Sequence, residues 1–420
     1  MIALRGGLVH DGAGRTWQDA TVVISRGKVV SVEEQGDSPS GATPVDVSGF
    51  NILPGLIDCH IHFAMWGQDL MAKPGMRLMQ LAAETSGLLG AALRRGCTTA
   101  RDPGGLDPGF RDAINAGSID GPRIQTSTVI LSPTGGLSDR ATPIGAQVPQ
   151  IPGFVDPVFD GPLAARAKVR EVAASGADFI KIATTGGVSS VRCPPDMQVL
   201  REDEMYALIT EAHELNLKVA CHAVSGKGVL NAVRAGVDSI EHGADLSDDC
   251  VKLMAERGTW YVPTFSAYRL HEKYGSRFKQ ERSRAMAAHH RASFRRALDA
   301  GVQIAMGSDA GGYGLDFTAE LEELVAAGMT PMQAVIAATS AGAACMGLEK
   351  EVGTLAPGML ADLIVVKGDP TRDVKVLRSP ENIALVLKGG KPVGGSFTDG
   401  PTKIAYRDIA GPHTEQYYLA

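Results

Sequence analysis

Apolar residues gather in short runs along this chain, and the spacing of the polar positions between them changes character twice. Over residues 1–54 the segments "GGLVHDG", "DATVVISRGKVVSVEE" and "ATPVDVSGFNILPG" are punctuated by glycine and aspartate, which predicts short strands joined by turns. "VGTLAPGMLADLIVVKGDP" and "IALVLKGGKPVGG", near the other end, have the same texture. An isolated short hairpin is marginal by itself, so residues 1–54 and 352–420 are expected to build one composite β-sandwich domain from both chain termini.

Residues 55–351 read differently. Eight apolar runs occur there: "LPGLIDCHIH", "CTTARDPGG", "RIQTSTVILSPTGG", "DFIKIATTGG", "LKVACHAVSG", "DSIEHGA", "TWYVPTF" and "VQIAMGSDAGG". Helix-like segments such as "LAARAKVREVAASG", "REDEMYALITEAHELN" and "HHRASFRRALDAG" lie between them, several closing on the glycine expected past a helix end. Strands that read as continuous apolar runs and alternate with helices predict a parallel sheet covered on its outside. Eight such units in roughly 300 residues fit an α/β fold of the (β/α)8 TIM-barrel type, with a doubly wound sheet as the rival.

The polar residues inside the runs separate the two. His60 and His62 end the first run, Lys181 sits in the fourth, His222 in the fifth, His242 in the sixth and Asp309 in the eighth. In a parallel barrel all the carboxyl ends open on one face, so these side chains can converge. Unpaired and partly dehydrated, a neutral polar group costs on the order of 2–7 kcal/mol, a cost that a pair of divalent ions removes. Residues i and i+2 of a strand point to the same side, so His60 and His62 can grip one ion while Ile61 packs behind them. Burial lowers the pKa of a lysine, and a neutral Lys181 amine can capture carbon dioxide as a carbamate that offers one oxygen to each of two metals. Taken singly, each residue has a plainer reading: solvated loop histidines at 60 and 62, a snorkelling lysine at 181, satisfied core histidines at 222 and 242, a turn cap at Asp309.

Composition narrows the chemistry. A net charge of −6 gives no electrostatic reason to expect nucleic acid or an anionic membrane surface as partner, which leaves small molecules. The N-terminus lacks a secretory pattern and no apolar run approaches the roughly 20 residues of a membrane span, so a cytoplasmic location is expected. Six cysteines occur without a C-x-x-C pair and are expected as small core residues. Nitrogen and oxygen donors without thiolates suit Zn²⁺ first, and also Mn²⁺, Co²⁺ or Ni²⁺.

"LPGLIDCHIH", "FIKI", "CHA", "EHG", "GSDA" and "GTLAPGMLADLIVV" together resemble the amidohydrolase superfamily over the whole chain. "RRGCTTARDPGG", "GPRIQTS", "TGG" and "IKIATTGGV" are most similar to its imidazolonepropionase-related branch, which contains Xaa-Pro dipeptidases and ochratoxinase-like amidases. The resemblance implies two metals: His60 and His62 hold one with Asp309, His222 and His242 hold the other, and carboxylated Lys181 bridges them. It implies attack by a bridging hydroxide on an amide carbonyl, with Asp309 passing the proton to the leaving amine. Dipeptidase-like members often carry a histidine and a tyrosine where this chain has Leu137 and Val224. A pocket lined by Leu137, Val224 and Trp66 would prefer a less polar, aromatic group; alternatively Leu137 faces the core and Arg192, Tyr268 or His289 supplies the contact. The function expected is hydrolysis of a C–N amide bond in an N-acyl amino acid, dipeptide or related small amide, by a homo-oligomer. The alternative is a deaminase or cyclic-amide hydrolase on the same barrel, disfavoured by Lys181 because such deaminases usually run on one metal.

Overall fold

The computed structural model describes residues 1–34, 36, 38–65, 76–139, 153–311 and 315–395. The chain opens with strands β1 (Ile2–His10), β2 (Thr16–Ser25), β3 (Lys28–Glu34), β4 (Thr43–Asp46) and β5 (Phe50–Pro54). Strand β6 (Leu56–Asp58) follows at once and begins the alternating region. Helix α1 (Leu78–Arg94), β7 (Cys97–Asp102), α2 (Pro108–Asn115), β8 (Arg123–Thr126) and β9 (Ile130–Leu131) come next. Then α3 (Pro162–Ala174), β10 (Ile180–Ala183), α4 (Glu202–Glu214), β11 (Val219–Ala223), α5 (Lys227–Ala235), β12 (Ser239–His242), α6 (Asp248–Arg257) and β13 (Trp260–Val262) repeat the unit. Local chemistry sets the helix ends: the Ser247 side chain accepts from Cys250 N at the start of α6, and Gly258, at φ +69°, ends it.

All the pairings of β6 to β13 are parallel, in the orders β6-β7-β8 and β9-β10-β11-β12-β13. The third apolar run is divided between β8 and β9, and Thr128 in the break has φ +61°. The eighth run pairs with β13 through Tyr261 N to Gln303 O (2.8 Å) and Ala305 N to Tyr261 O (3.0 Å). On its other side it accepts from Cys59 N at Met306 O, 2.9 Å. It forms two isolated bridges, Ile304 with Tyr261 and Ala310 with Ile61, rather than the regular strand expected, and between them Met306 N turns aside to Ala337 O (2.9 Å).

Before that run the chain makes α7 (Phe265–Tyr274), which the apolar pattern does not announce, and α8 (Arg277–Asp299), which starts well ahead of the helix expected from "HHRASFRRALDAG". Helices α9 (Ala319–Ala327), α10 (Pro331–Ala337) and α11 (Ser340–Met346) follow. Thr330 and Gln333 box the first turn of α10 around Pro331. The chain then returns in β14 (Leu363–Lys367), β15 (Ile383–Lys388) and β16 (Lys391–Gly394).

Strands from the two ends share one eight-stranded sheet, ordered β16-β15-β14-β5-β1-β2-β3, with β4 beside β1. Val22, Ile52, Leu363 and Leu385 belong to an apolar cluster of its own. The larger cluster lies among the parallel strands and their helices, and includes Leu56, Leu131, Ile182, Val219 and Ile240. Each such side chain contributes about 1.5–3 kcal/mol by leaving water. All six cysteines are buried and free, as expected. Among the described residues no helix is long and apolar enough to cross a membrane.

Candidate active site

The carboxyl ends of the parallel runs border a pocket of about 230 Å³ whose wall includes His60, His62, Lys181, His222, His242 and Asp309. His60 and His62 lie just past β6, Lys181 within β10, His222 within β11 and His242 at the last position of β12. The imidazole centroids are 5.3 Å apart for His60 and His62, 5.1 Å for His60 and His242, and 4.4 Å for His222 and His242. Asp309 Oδ1 is 3.6 Å from His60 Nε2 and 3.3 Å from His62 Nε2. These three residues offer ligand atoms within 4.8 Å of one another.

Backbone strain is concentrated here. His242 (φ +75°) and Asp309 (φ +51°) are left-handed, as is Thr264 (φ +56°), the residue hydrogen-bonded to the His242 ring. Such conformations cost of order 1–3 kcal/mol each and persist where the surroundings enforce them. Part of the enforcement is visible at the buried Asp58, whose carboxylate accepts from His60 N (3.0 Å), Ser308 N (3.1 Å) and Ser308 Oγ (2.6 Å). It thereby fixes the first and eighth runs against each other.

Burial lowers the pKa of His60 to about 4, assisted by the Lys181 charge, and does the same to His222. His242 is also held below its ordinary value by burial and by the neighbouring imidazoles. His62 goes the other way: burial opposes its charge, but the Asp102 and Asp309 carboxylates outweigh it and raise the pKa to about 10. Its Nδ1 donates to Gly104 O at 2.8 Å; Asp102, at 3.8 Å, acts by charge rather than as an acceptor. Burial opposes ionisation of Asp309, yet His62 and His60 keep it well below the usual carboxylate range. Lys181, 1% exposed, is brought down to about 8 by burial.

Each imidazole has one nitrogen hydrogen-bonded to the surrounding scaffold, and the second nitrogens of His60 and His62 both face Asp309 Oδ1. His60 Nδ1 donates to Glu241 (2.6 Å), His62 Nδ1 to Gly104 O (2.8 Å) and His222 Nε2 to Gly186 O (3.0 Å). His242 Nδ1 donates to Thr264 Oγ1 (2.8 Å), whose own proton goes to Pro263 O (2.7 Å). Buried Lys181 Nζ finds no hydrogen-bond partner among the described residues. Imidazole nitrogens, a carboxylate and an orphaned amine on one wall, without thiolates, are a donor set that fits divalent ions.

The rest of the wall is mainly apolar: Met65, Ile130, Leu137, Val188 and Val224, with Ser138 and Ser189 among them. Leu137, Val224 and Tyr268 therefore line the pocket, while Trp66 lies outside the described residues. Two of the alternative contacts, His289 and Arg192, are not among the residues lining this pocket. The His289 side chain is 64% exposed and stands 3.8 Å from Asp245, because α8 turns its neighbour His290 inward against Phe265 and Tyr268. Arg192 is exposed and donates to Asp139 O (3.0 Å). The sequence reading missed His271, which lines the pocket one turn after Tyr268 on α7. The i, i+3 spacing in "YRLH" was the available signal.

Residues 51–393 match the amidohydrolase family. The chain belongs to that family. This amidohydrolase is 31% identical to ochratoxinase of Aspergillus niger over 415 residues, 92% of this chain and 85% of that protein. A solved Xaa-Pro dipeptidase with methionine bound in its active site superposes with a TM-score of 0.85 at 30% identity, covering 94% of this chain and 100% of that one. A solved prolidase complexed with N-methylphosphonate-L-proline gives 0.86 at 31%, again over 94% and 100%. The likeness implies a TIM barrel for the alternating units. The protein is a metal-dependent amidohydrolase, an enzyme of carbon–nitrogen bonds.

Proposed function

We propose that this amidohydrolase carries two divalent ions, zinc in the first place, and hydrolyses the amide bond of a small molecule with an apolar group beside the scissile carbonyl. The observation that carries the reading is the orphaned Lys181 Nζ, buried on the same wall as four histidines that are each anchored to the scaffold through one ring nitrogen. His60, His62 and Asp309 would hold one ion and His222 and His242 the other, with Lys181, carboxylated, between them. Bound there, the ions supply Lewis acidity that eases the deprotonation of water and polarises a carbonyl.

The remaining steps belong to the protein. Asp309 Oδ1, partly exposed to the pocket, accepts the proton of the attacking water and returns it to the nitrogen of the leaving amine. Tyr268 and His271, side by side on α7, face the substrate as its polar contacts. Ile130, Leu137, Val188 and Val224 shed water from the apolar group. Similar proteins include an ochratoxinase, a Xaa-Pro dipeptidase and a prolidase complexed with N-methylphosphonate-L-proline, which supports a small acyl-amino compound as the substrate class.

The test is a hydrolysis screen of the zinc-loaded protein against N-acyl amino acids, dipeptides, lactams and aryl amides, with Asp309→Asn as control. Turnover of open-chain amides, reduced by ~10²–10⁴-fold in Asp309→Asn, is the expected result. Ammonia release from a ring amine, with one ion per chain, would replace this reading by the deaminase alternative.

A further inference from the structure

The acceptors of the four imidazoles are not equivalent. Three bond to neutral oxygens, the Gly104 and Gly186 carbonyls and the Thr264 hydroxyl, whereas His60 bonds to the carboxylate of Glu241 at 2.6 Å. Glu241 is fully buried. Its Oε1 accepts from Arg101 Nη2 (2.8 Å) and Ser239 Oγ (2.6 Å), while its Oε2 is the atom bonded to His60. Arg101, itself buried, also gives its Nε to Cys59 O (2.6 Å), the carbonyl that precedes His60. One guanidinium therefore holds both the carboxylate that faces the His60 ring and the backbone from which that ring springs.

A buried ion pair is weak evidence for stability, since apolar side chains of similar volume often fill the same space at lower cost. The Arg101–Glu241 pair lies among the parallel strands, where such a filling was open to it. We infer that Glu241, fixed by Arg101 and Ser239, is a positioning residue that fixes the His60 tautomer and strengthens Nε2 as a donor, so that the ion at His60, His62 and Asp309 is held more tightly than the ion at His222 and His242. The inference rests on the two-ion reading. A carboxylate behind a ligand imidazole orients it and raises its basicity, and its loss typically costs 10–100-fold in metal affinity.

The experiment is chelator titration of the zinc-loaded full chain, reading zinc per chain by atomic emission. Wild type should lose its ions in two steps. In Glu241→Gln the later step should move by ~10–100-fold toward lower chelator while the earlier one stays. Thr264→Val should move the earlier step alone. Arg101→Met should reproduce Glu241→Gln, and Ser239→Ala, which leaves the ion pair in place, should move the same step by less. The inference is overturned if Glu241→Gln leaves both steps in place or displaces both equally, and the same two outcomes in Ser239→Ala overturn it should the other variants fail to fold. A single step releasing one ion per chain in wild type would count against the two-ion reading, with displacement of that step by Glu241→Gln still supporting the role of Glu241 and its constancy refuting it; a single step releasing two ions per chain would overturn the difference in affinity.

Discussion

At the scale of single residues, the pocket offers apolar carbon on one side and polar groups on the other. Leu137 is partly exposed to the pocket, and a longer side chain there can reach substrate without displacing core. Leu137→Arg is expected to raise kcat/KM for amides bearing a free carboxylate, relative to neutral amides of the same size, by ten-fold or more, since a charge-assisted hydrogen bond is worth about 1.5–3 kcal/mol. Paired kinetics on a neutral and an acidic substrate check this; an unchanged ratio would remove Leu137 from the substrate wall. The positions of His60, His62, Lys181, His222, His242 and Asp309 were legible because a polar residue ending an apolar run is conspicuous. Glu241 was not. It reads as one more acid in "SIEHG", and only the fold brings Arg101 and His60 to either side of it.

At the scale of elements, α7 shows where the sequence pattern fell silent. Its N-cap, Thr264, makes no side-chain cap, and the first amides are satisfied from a distance: Glu320 of α9 accepts from Phe265 N (2.9 Å) and Ser266 N (2.7 Å). A cap supplied by a residue far along the chain leaves no local signature. Burial raises the Glu320 pKa to about 8, although those amides oppose the shift. The folded protein thus retains a proton that the unfolded chain, near 4.5, has already released, so this group's contribution to stability falls as pH rises from about 4.5 to about 8. Between pH 5 and pH 8 the buried histidines, lowered below their ordinary range, push stability the other way, so the check is the difference: the change in melting temperature from pH 5 to pH 8 should be more positive in Glu320→Gln than in wild type. The variant should also raise KM, because α7 carries Tyr268 and His271. An identical pH slope in the two proteins would remove Glu320 as its source. The parallel strands were legible where the apolar residues run on, as in β10 and β11, whereas β8 (RIQT) and the two-residue β9 read as one run. The eighth run was legible as apolar but not as irregular, its departure falling at the contact between Met306 and Ala337.

At the scale of the whole molecule, the sheet made from both termini is joined to the strands of the site by a buried carboxylate. Asp362 accepts from Arg123 Nε (2.8 Å) and Gly389 N (2.6 Å), and its carbonyl takes Gly55 N (2.9 Å). Asp362 is buried although Arg123 is partly exposed, and its loss leaves the Gly389 amide without its acceptor, so Asp362→Ala should lower the melting temperature while zinc per chain stays at the wild-type value. Loss of zinc in a protein that still melts cooperatively would show that the joint also shapes the site. The joint between Cys59 and Met306 is of another kind, for it brings His60 beside Asp309 from opposite ends of the alternating region. A nascent chain halted before residue 302 holds the histidines and the lysine but lacks the aspartate, and its first run has no eighth to lean on. On the proposed reading, a polypeptide that has not yet reached Asp309 has no means of attacking the amides around it.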